Sequence, residues 1–168
     1  EDFQSLPLTD EFLQFTGLHS GEYILQVGRI SPRKNQLASI LATKDLDIPL
    51  VFIATKTFSD DYMRIFIHAL STWRRTPTWV ISQNRVRGLF GIHRFLHMPG
   101  GKKLSTSMLR SAFGHAGLHL HPAFYELPGA TYFESALLGI PTIASSWTTI
   151  GEYFQNPPLD DRIEYCEP

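Results

Sequence analysis

Two short stretches of this chain carry residues whose types and spacing suit work on an anion. In the first, an apolar run ending in Val27-Gly28 leads into Arg29-Ile30-Ser31-Pro32-Arg33-Lys34-Asn35. Gly28 lets the backbone turn sharply and come close to a ligand. Arg29, Arg33 and Lys34 then place cations at a strand end ahead of a helix start, which suits an anion such as a diphosphate. A solvated basic turn would look the same by spacing alone. Neither G-x-G-x-x-G nor G-x-x-x-x-G-K-[ST] occurs, so the usual dinucleotide fingerprint and the P-loop are both absent.

The second stretch runs from Pro122 to Glu134, with Glu126 and Glu134 eight positions apart and Gly129 between them. A strand, Leu118 to His121, feeds a loop holding Glu126, and Gly129 opens a helix holding Glu134. The first amides of a helix have no intrahelical partner and favour negative charge. Carboxylates repel phosphates, so Glu126 and Glu134 are suited to accept hydrogen bonds from hydroxyls on either side, such as those of the sugar and the ribose of a sugar nucleotide. The alternative is an exposed loop acid and a surface helix residue.

These stretches need elements to position them. Short apolar strands are predicted at Tyr23 to Val27, Pro49 to Ala54, Thr78 to Ile81, Arg94 to Met98, Gly117 to His121, Pro141 to Ala144 and Arg162 to Tyr165. Between them, helical spacing covers Gln36 to Thr43, Asp60 to Trp73, Leu104 to Phe113 and Ala130 to Leu138. The alternation implies βαβ units, hence an α/β fold: a Rossmann-like, doubly wound parallel sheet with helices on both faces. In such sheets ligands sit beyond the carboxyl ends of the strands. Residues 1–21 read as a lead-in or interdomain linker, with a short helix over Leu8 to Phe15 capped by Thr9 or Asp10 and ending near Gly17. Residues 22–168 form the domain. Arg74 to Gly101 is the least legible part, a loop, a short helix or both.

Composition sets the bounds. With 168 residues, 43% hydrophobic and 18% charged, the chain is globular rather than disordered. At this size a domain buries roughly 70% of its unfolded surface and needs no disulfide or metal to fold. The single cysteine, Cys166, excludes an internal disulfide framework and a cysteine-cluster zinc site. A net charge of −1 argues against a general nucleic-acid binder. No apolar run reaches a membrane-spanning length, and the acidic, polar opening Glu1 to Gln4 is not a signal peptide. If the chain is a fragment, that says little of its parent.

The cation-rich turn, followed by Glu126-Leu-Pro-Gly-Ala-Thr-Tyr-Phe-Glu134-Ser-Ala-Leu-Leu-Gly-Ile-Pro-Thr-Ile-Ala-Ser, resembles the C-terminal domain of the group 1 (family 4) glycosyltransferases. These are retaining enzymes of the GT-B fold, in which two Rossmann-like domains face each other across a cleft. The resemblance covers about Glu22 to Glu152. It implies that Arg29 and Lys34 hold the donor diphosphate and offset the charge that builds on the leaving group. It implies that Glu126 contacts the donor sugar hydroxyls, that the amides of Gly129, Ala130 and Thr131 approach the phosphates, and that Glu134 binds the ribose. Gly100 and Gly101 fall where the family reads the nucleobase edge. The donor is then a nucleotide-diphosphate sugar of UDP, GDP or ADP type. There is no cofactor and no metal, since cations and helix amides replace one.

Departures from the family pattern are Ala123 in place of a serine, and Trp147-Thr148-Thr149 where a glycine pair is usual; Glu152 keeps the acidic position that follows. The acceptor-binding domain and the closing helices have no counterpart here, so the expectation is one half of a hexosyltransferase of polysaccharide biosynthesis. That half would be inactive alone and would serve a glycan or lipid-linked acceptor through the other domain. Cytoplasmic location, with peripheral contact at the inner face of a membrane, accompanies that expectation. The alternative is a non-catalytic sugar-nucleotide-binding or interaction module. A sugar-nucleotide epimerase of the same fold fits the glutamate spacing poorly.

Other features are set aside. His119 and His121 could pair on a metal but lack a third ligand, and the His93/His97 spacing falls on a strand entrance. Trp73-Arg74-Arg75 and Arg85-Val86-Arg87 read as solvated turns before they read as a nucleic-acid or lipid patch. Phe58, Phe66, Phe90 and Phe95 read as core.

Overall fold

The computed structural model describes residues 2–54, 60–82, 91–98, 104–127, 129–154 and 163–168. Among them the chain runs α1 (Glu11–Thr16), β1 (Ile24–Val27), a 3-10 turn (Pro32–Lys34), α2 (Gln36–Ala42), β2 (Leu50–Ala54), α3 (Asp60–Trp73) and β3 (Thr78–Ser82). It continues through β4 (Arg94–His97), α4 (Thr106–Gly114), β5 (Leu118–His121), α5 (Ala130–Leu137), β6 (Thr142–Ser145), α6 (Ile150–Tyr153) and β7 (Ile163–Cys166). Every predicted strand and helix forms, with bounds shifted by up to three residues, most at the start of α1, which begins at Glu11 rather than Leu8. The 3-10 turn and α6 are additions that no periodicity announced, being too short to have one.

The seven strands make one parallel sheet in the order β4-β3-β2-β1-β5-β6-β7. β1, β2 and β3 are buried along their whole length, which is why they read as mostly apolar runs rather than as alternating ones. Alternate residues serve opposite faces. Leu25, Val27, Val51, Ile53, Trp79 and Ile81 pack with Phe12 of α1 and Phe113 of α4. Ile24, Leu50, Phe52 and Val80 pack with Ile40 of α2 and Phe66 and Leu70 of α3. A smaller cluster of Tyr132, Ala144, Ile150, Phe154 and Ile163 joins α5 and α6 to β6 and β7. Phe66 is core as expected and Phe95 is packed against it, whereas Phe58, Phe90 and the Arg85–Arg87 stretch lie outside the described residues.

β1 pairs with β2 on one side and β5 on the other. From β1 the strand order runs outward to β4, and the chain then returns to β5 and runs the other way. The order therefore reverses between β1 and β5, the place where open parallel sheets bind their ligands.

Two sequence features take unexpected places. Arg74 is not a solvated turn residue: it is 3% exposed, and its guanidinium donates to the carbonyls of Thr43 and Ile48. His93 is buried at the entrance to β4. No helix among the described residues is long and apolar enough to cross a membrane.

Candidate functional site

The loop after β1 is shaped to turn a lysine inward. Gly28 continues the ladder by donating to the Ile53 carbonyl and then adopts φ 149°, a conformation that favours glycine. Pro32 opens the 3-10 turn, and Asn35 ends it in the left-handed region at φ 51° while its side chain caps α2. Two buried glutamines hold this loop. Gln26 Nε2 donates to the Lys34 carbonyl (2.8 Å), and Gln36 Nε2 donates to the Arg29 carbonyl (2.7 Å) while its Oε1 accepts from Ser31 N. With its backbone fixed, the Lys34 side chain runs past Gly28, where an added Cβ would lie 3.3 Å from Lys34 Cε. Lys34 is 6% exposed.

The loop after β5 is joined to this turn. Phe124 N donates to the Arg33 carbonyl (3.0 Å), and Arg33 Nη1 donates to the Tyr125 carbonyl (2.9 Å). Glu126 is thereby delivered onto the cations. Its Oε2 accepts from Lys34 Nζ at 2.5 Å and from Arg33 Nη1 at 3.1 Å. Lys34 Nζ also lies 3.1 Å from His121 Nε2, and that nitrogen is 3.9 Å from Glu126 Oε2. The Thr149 hydroxyl donates to the Glu126 carbonyl (3.4 Å), so Thr149 braces the Glu126 loop.

Burial works against the charge on all three groups. It would raise the Glu126 carboxyl, but the hydrogen bond from Lys34 and the Lys34 charge outweigh it and hold the carboxyl well below its ordinary value. Burial pulls Lys34 below its ordinary value, against the pull of Glu126. Burial also lowers His121, and the imidazole is neutral. A charged ammonium can only donate, so His121 Nε2 accepts and the ring proton sits on Nδ1. That Nδ1 is buried with no partner among the described residues, an arrangement that costs about 1–3 kcal/mol.

α5 begins beside the carboxylate. An added Cβ on Gly129 would fall 2.7 Å from Glu126 Cγ and 2.9 Å from the Tyr132 ring, so only glycine fits between them. The following amides, of Ala130 and Thr131, have no carbonyl partner within the helix. The Thr131 hydroxyl is buried and unpartnered among the described residues. Glu134, half-buried, lies one turn further along α5.

Of the residues expected from sequence, Gly28, Lys34, Glu126 and Gly129 are brought into contact. Ala130 and Thr131 stand at the adjoining helix start. Arg29 is exposed at the mouth, where it lines a cavity of about 260 Å³ with Ser31, Pro32 and Arg33. Gly100 and Gly101 lie outside the described residues. Sequence reasoning named Arg33 without giving it a role, and it weighed His121 only as half of a metal pair. The signal that could have found His121 is a pair of ionisable residues in a strand flanked by apolar ones, since a buried imidazole needs a partner. Among the described residues no group of three or more His, Cys, Asp or Glu is placed to hold a metal ion.

No family model and no curated protein matches the chain. Solved structures do. Sucrose-phosphate synthase from Thermosynechococcus elongatus aligns over 100% of this chain and 38% of its own, with 16% identity and a TM-score of 0.69. The UDP-forming alpha,alpha-trehalose-phosphate synthase from Burkholderia xenovorans aligns over 79% of this chain and 31% of its own, with 15% identity and a TM-score of 0.57. The C-terminal domain of a group 1 glycosyl transferase from Francisella tularensis aligns over 100% of this chain and 80% of its own, with 13% identity and a TM-score of 0.57. The chain thus spans about a third of the length of the two synthases it resembles. Taken with the parallel sheet and its reversal of strand order between β1 and β5, these likenesses establish that the chain has the fold of the C-terminal domain of GT-B glycosyltransferases.

Proposed function

We propose that this chain is the donor-binding domain of a retaining glycosyltransferase, which seats the diphosphate of a nucleotide sugar where the strand order reverses between β1 and β5. The observation that supports it most is the buried Lys34 ammonium, paired with Glu126 at the strand ends, with Arg29 and Arg33 at the mouth and the start of α5 alongside. Arg29, Arg33, Lys34 and Glu126 together leave two net positive charges beside free helix amides, which favours a polyanion.

In this reading the donor phosphates lie between Lys34 and Arg29 on one side and the Ala130 and Thr131 amides on the other. Glu126 accepts from the donor sugar hydroxyls and Glu134 from the ribose. As the bond to the anomeric carbon breaks, its electrons pass to the diphosphate oxygen. Lys34 and Arg29 stabilise that charge where it develops. No metal is needed for that step. A hydroxyl of the acceptor, a glycan or a lipid-linked sugar held by a second domain, attacks from the face the diphosphate leaves and gives its proton to the departing diphosphate oxygen, so configuration is retained. One of the structural relatives is a UDP-forming synthase, which makes UDP the first donor type to try. We place the reaction in the cytoplasm, with the chain alone inactive because half of the cleft is supplied by the other domain.

The test is calorimetric titration of the chain with UDP, GDP and ADP, and then with the 2′-deoxy form of the one that binds. Binding of one diphosphate, weakened on the order of tenfold both by Glu134→Ala and by loss of the ribose hydroxyl, is the expected result. Equal binding of ribose and deoxyribose forms by the wild-type chain would overturn the role of Glu134.

A further inference from the structure

We propose that His121 is a positioning residue of the diphosphate site: as a neutral acceptor it takes one N–H of the Lys34 ammonium, so that a buried lysine stays charged and keeps an N–H for the ligand. The inference rests on the reading of Lys34 as a diphosphate ligand.

An ammonium has three donors. Glu126 Oε2 takes one at 2.5 Å and His121 Nε2 takes a second at 3.1 Å, which leaves the third. The chemical character of the second acceptor matters. A second carboxylate there would cancel the charge an anion needs. An aliphatic side chain would leave a desolvated N–H with nothing to accept it, and a buried ammonium in that position gives up its proton. An imidazole accepts without adding charge. Its own cost argues the same way. His121 is fully buried, and with Nε2 accepting, its Nδ1 has no partner among the described residues. Leucine would fill the same space with no orphaned polar atom, so the imidazole is not the economical way to pack this core.

The groups around His121 keep it neutral. His119 on the same strand lies with ring centroids 5.6 Å apart, and Lys34 and Arg33 approach from the 3-10 turn, with Arg29 beyond them. Tyr132 of α5 packs edge-on at 5.0 Å and donates its hydroxyl to the His121 carbonyl (3.2 Å). Only Glu126, from the loop after β5, favours a proton on the ring, and it is already satisfied by two cations. Burial and the surrounding positive charge therefore leave Nε2 free to accept from Lys34.

The experiment is titration of the chain and of His121→Leu, His121→Gln and Lys34→Ala with UDP, GDP and ADP, at roughly pH 7 and roughly pH 9, with a melting curve for each variant. The wild-type chain is expected to bind one diphosphate almost equally at the two pH values. His121→Leu should melt cooperatively yet bind on the order of tenfold more weakly at the higher pH than at the lower, as Lys34 loses its proton. His121→Gln, which returns a neutral acceptor, should recover the flat profile. If His121→Leu keeps the wild-type pH profile, or is weakened equally at both pH values without rescue by glutamine, the positioning role is overturned while Lys34 keeps its own. If Lys34→Ala binds like the wild type, or none of the three diphosphates binds the wild type, the underlying reading falls with it.

Discussion

Among the described residues two cations are buried, Lys34 and Arg74, and they are used differently. Both are almost wholly enclosed, and burial pulls both below their ordinary pKa. Arg74 follows α3 on the side of the sheet where helices end and strands begin. It spends its guanidinium on the fixed carbonyls of Thr43 and Ile48. Lys34 lies at the opposite end, beyond the carboxyl ends of β1 and β5. Its partners are the end of a loop carboxylate and an imidazole, beside the start of α5. Backbone carbonyls cannot leave, so Arg74 staples two loops together. A glutamate side chain can turn away, so Lys34 can be handed to an incoming anion. The difference between a structural and a binding cation here is whether its partners can be exchanged, not how deeply it is buried.

The sharpest way to break that comparison is to remove each charge in turn. Arg74→Met strands the Thr43 and Ile48 carbonyls and is expected to lower stability by about 2–3 kcal/mol, read by urea denaturation, with nucleotide affinity of the folded fraction unchanged. Lys34→Met should act on binding: diphosphate affinity of the folded chain falls on the order of a hundredfold, and the Glu126 carboxylate, left with Arg33 alone, costs stability as well.

The Glu126 side of the pair has a pH signature. Its carboxyl sits at about 2 in the folded chain against an ordinary 4.5. A depressed folded value stabilises the protein above about 4.5, and the gain is lost as pH falls through about 2. That gain amounts to about 3 kcal/mol. Stability of the wild-type chain should therefore drop across that window, and Glu126→Gln should remove most of the drop. A matching acid limb in both proteins would place the carboxylate outside the ion pair.

Smaller effects sharpen the geometry around it. Gly129→Ala forces a methyl group onto Glu126 Cγ and the Tyr132 ring, which should cost about 1–3 kcal/mol and weaken diphosphate binding by about tenfold. Thr149→Gly removes a hydroxyl that donates to the Glu126 carbonyl at a long 3.4 Å. A change of a few tenths of a kcal/mol is expected, measured as a melting shift of about a degree or two.

The sheet was legible because buried parallel strands read as short, mostly apolar runs, and Leu50–Ala54 shows it plainly. The meeting of Lys34 with Glu126 was legible only as a consequence of topology: 92 positions separate them, and it is the pairing of β1 with β5 that makes them neighbours. Details set by single contacts were not legible. Nothing in Trp73-Arg74-Arg75 says that the middle residue reaches back to two carbonyls. Arg33 became a ligand of Glu126 because a three-residue turn, too short to show a period, aims it there. His121 was hidden because its strand alternation fits a core strand whether or not its ring nitrogen is used.

The most direct measurement is titration of UDP, GDP and ADP into three proteins side by side: the wild-type chain, Lys34→Met and Arg74→Met. The account predicts that one diphosphate binds the wild type and folded Arg74→Met alike, and Lys34→Met on the order of a hundredfold more weakly. A wild-type chain that binds none of the three, or a Lys34→Met chain that binds as well as the wild type, would contradict it.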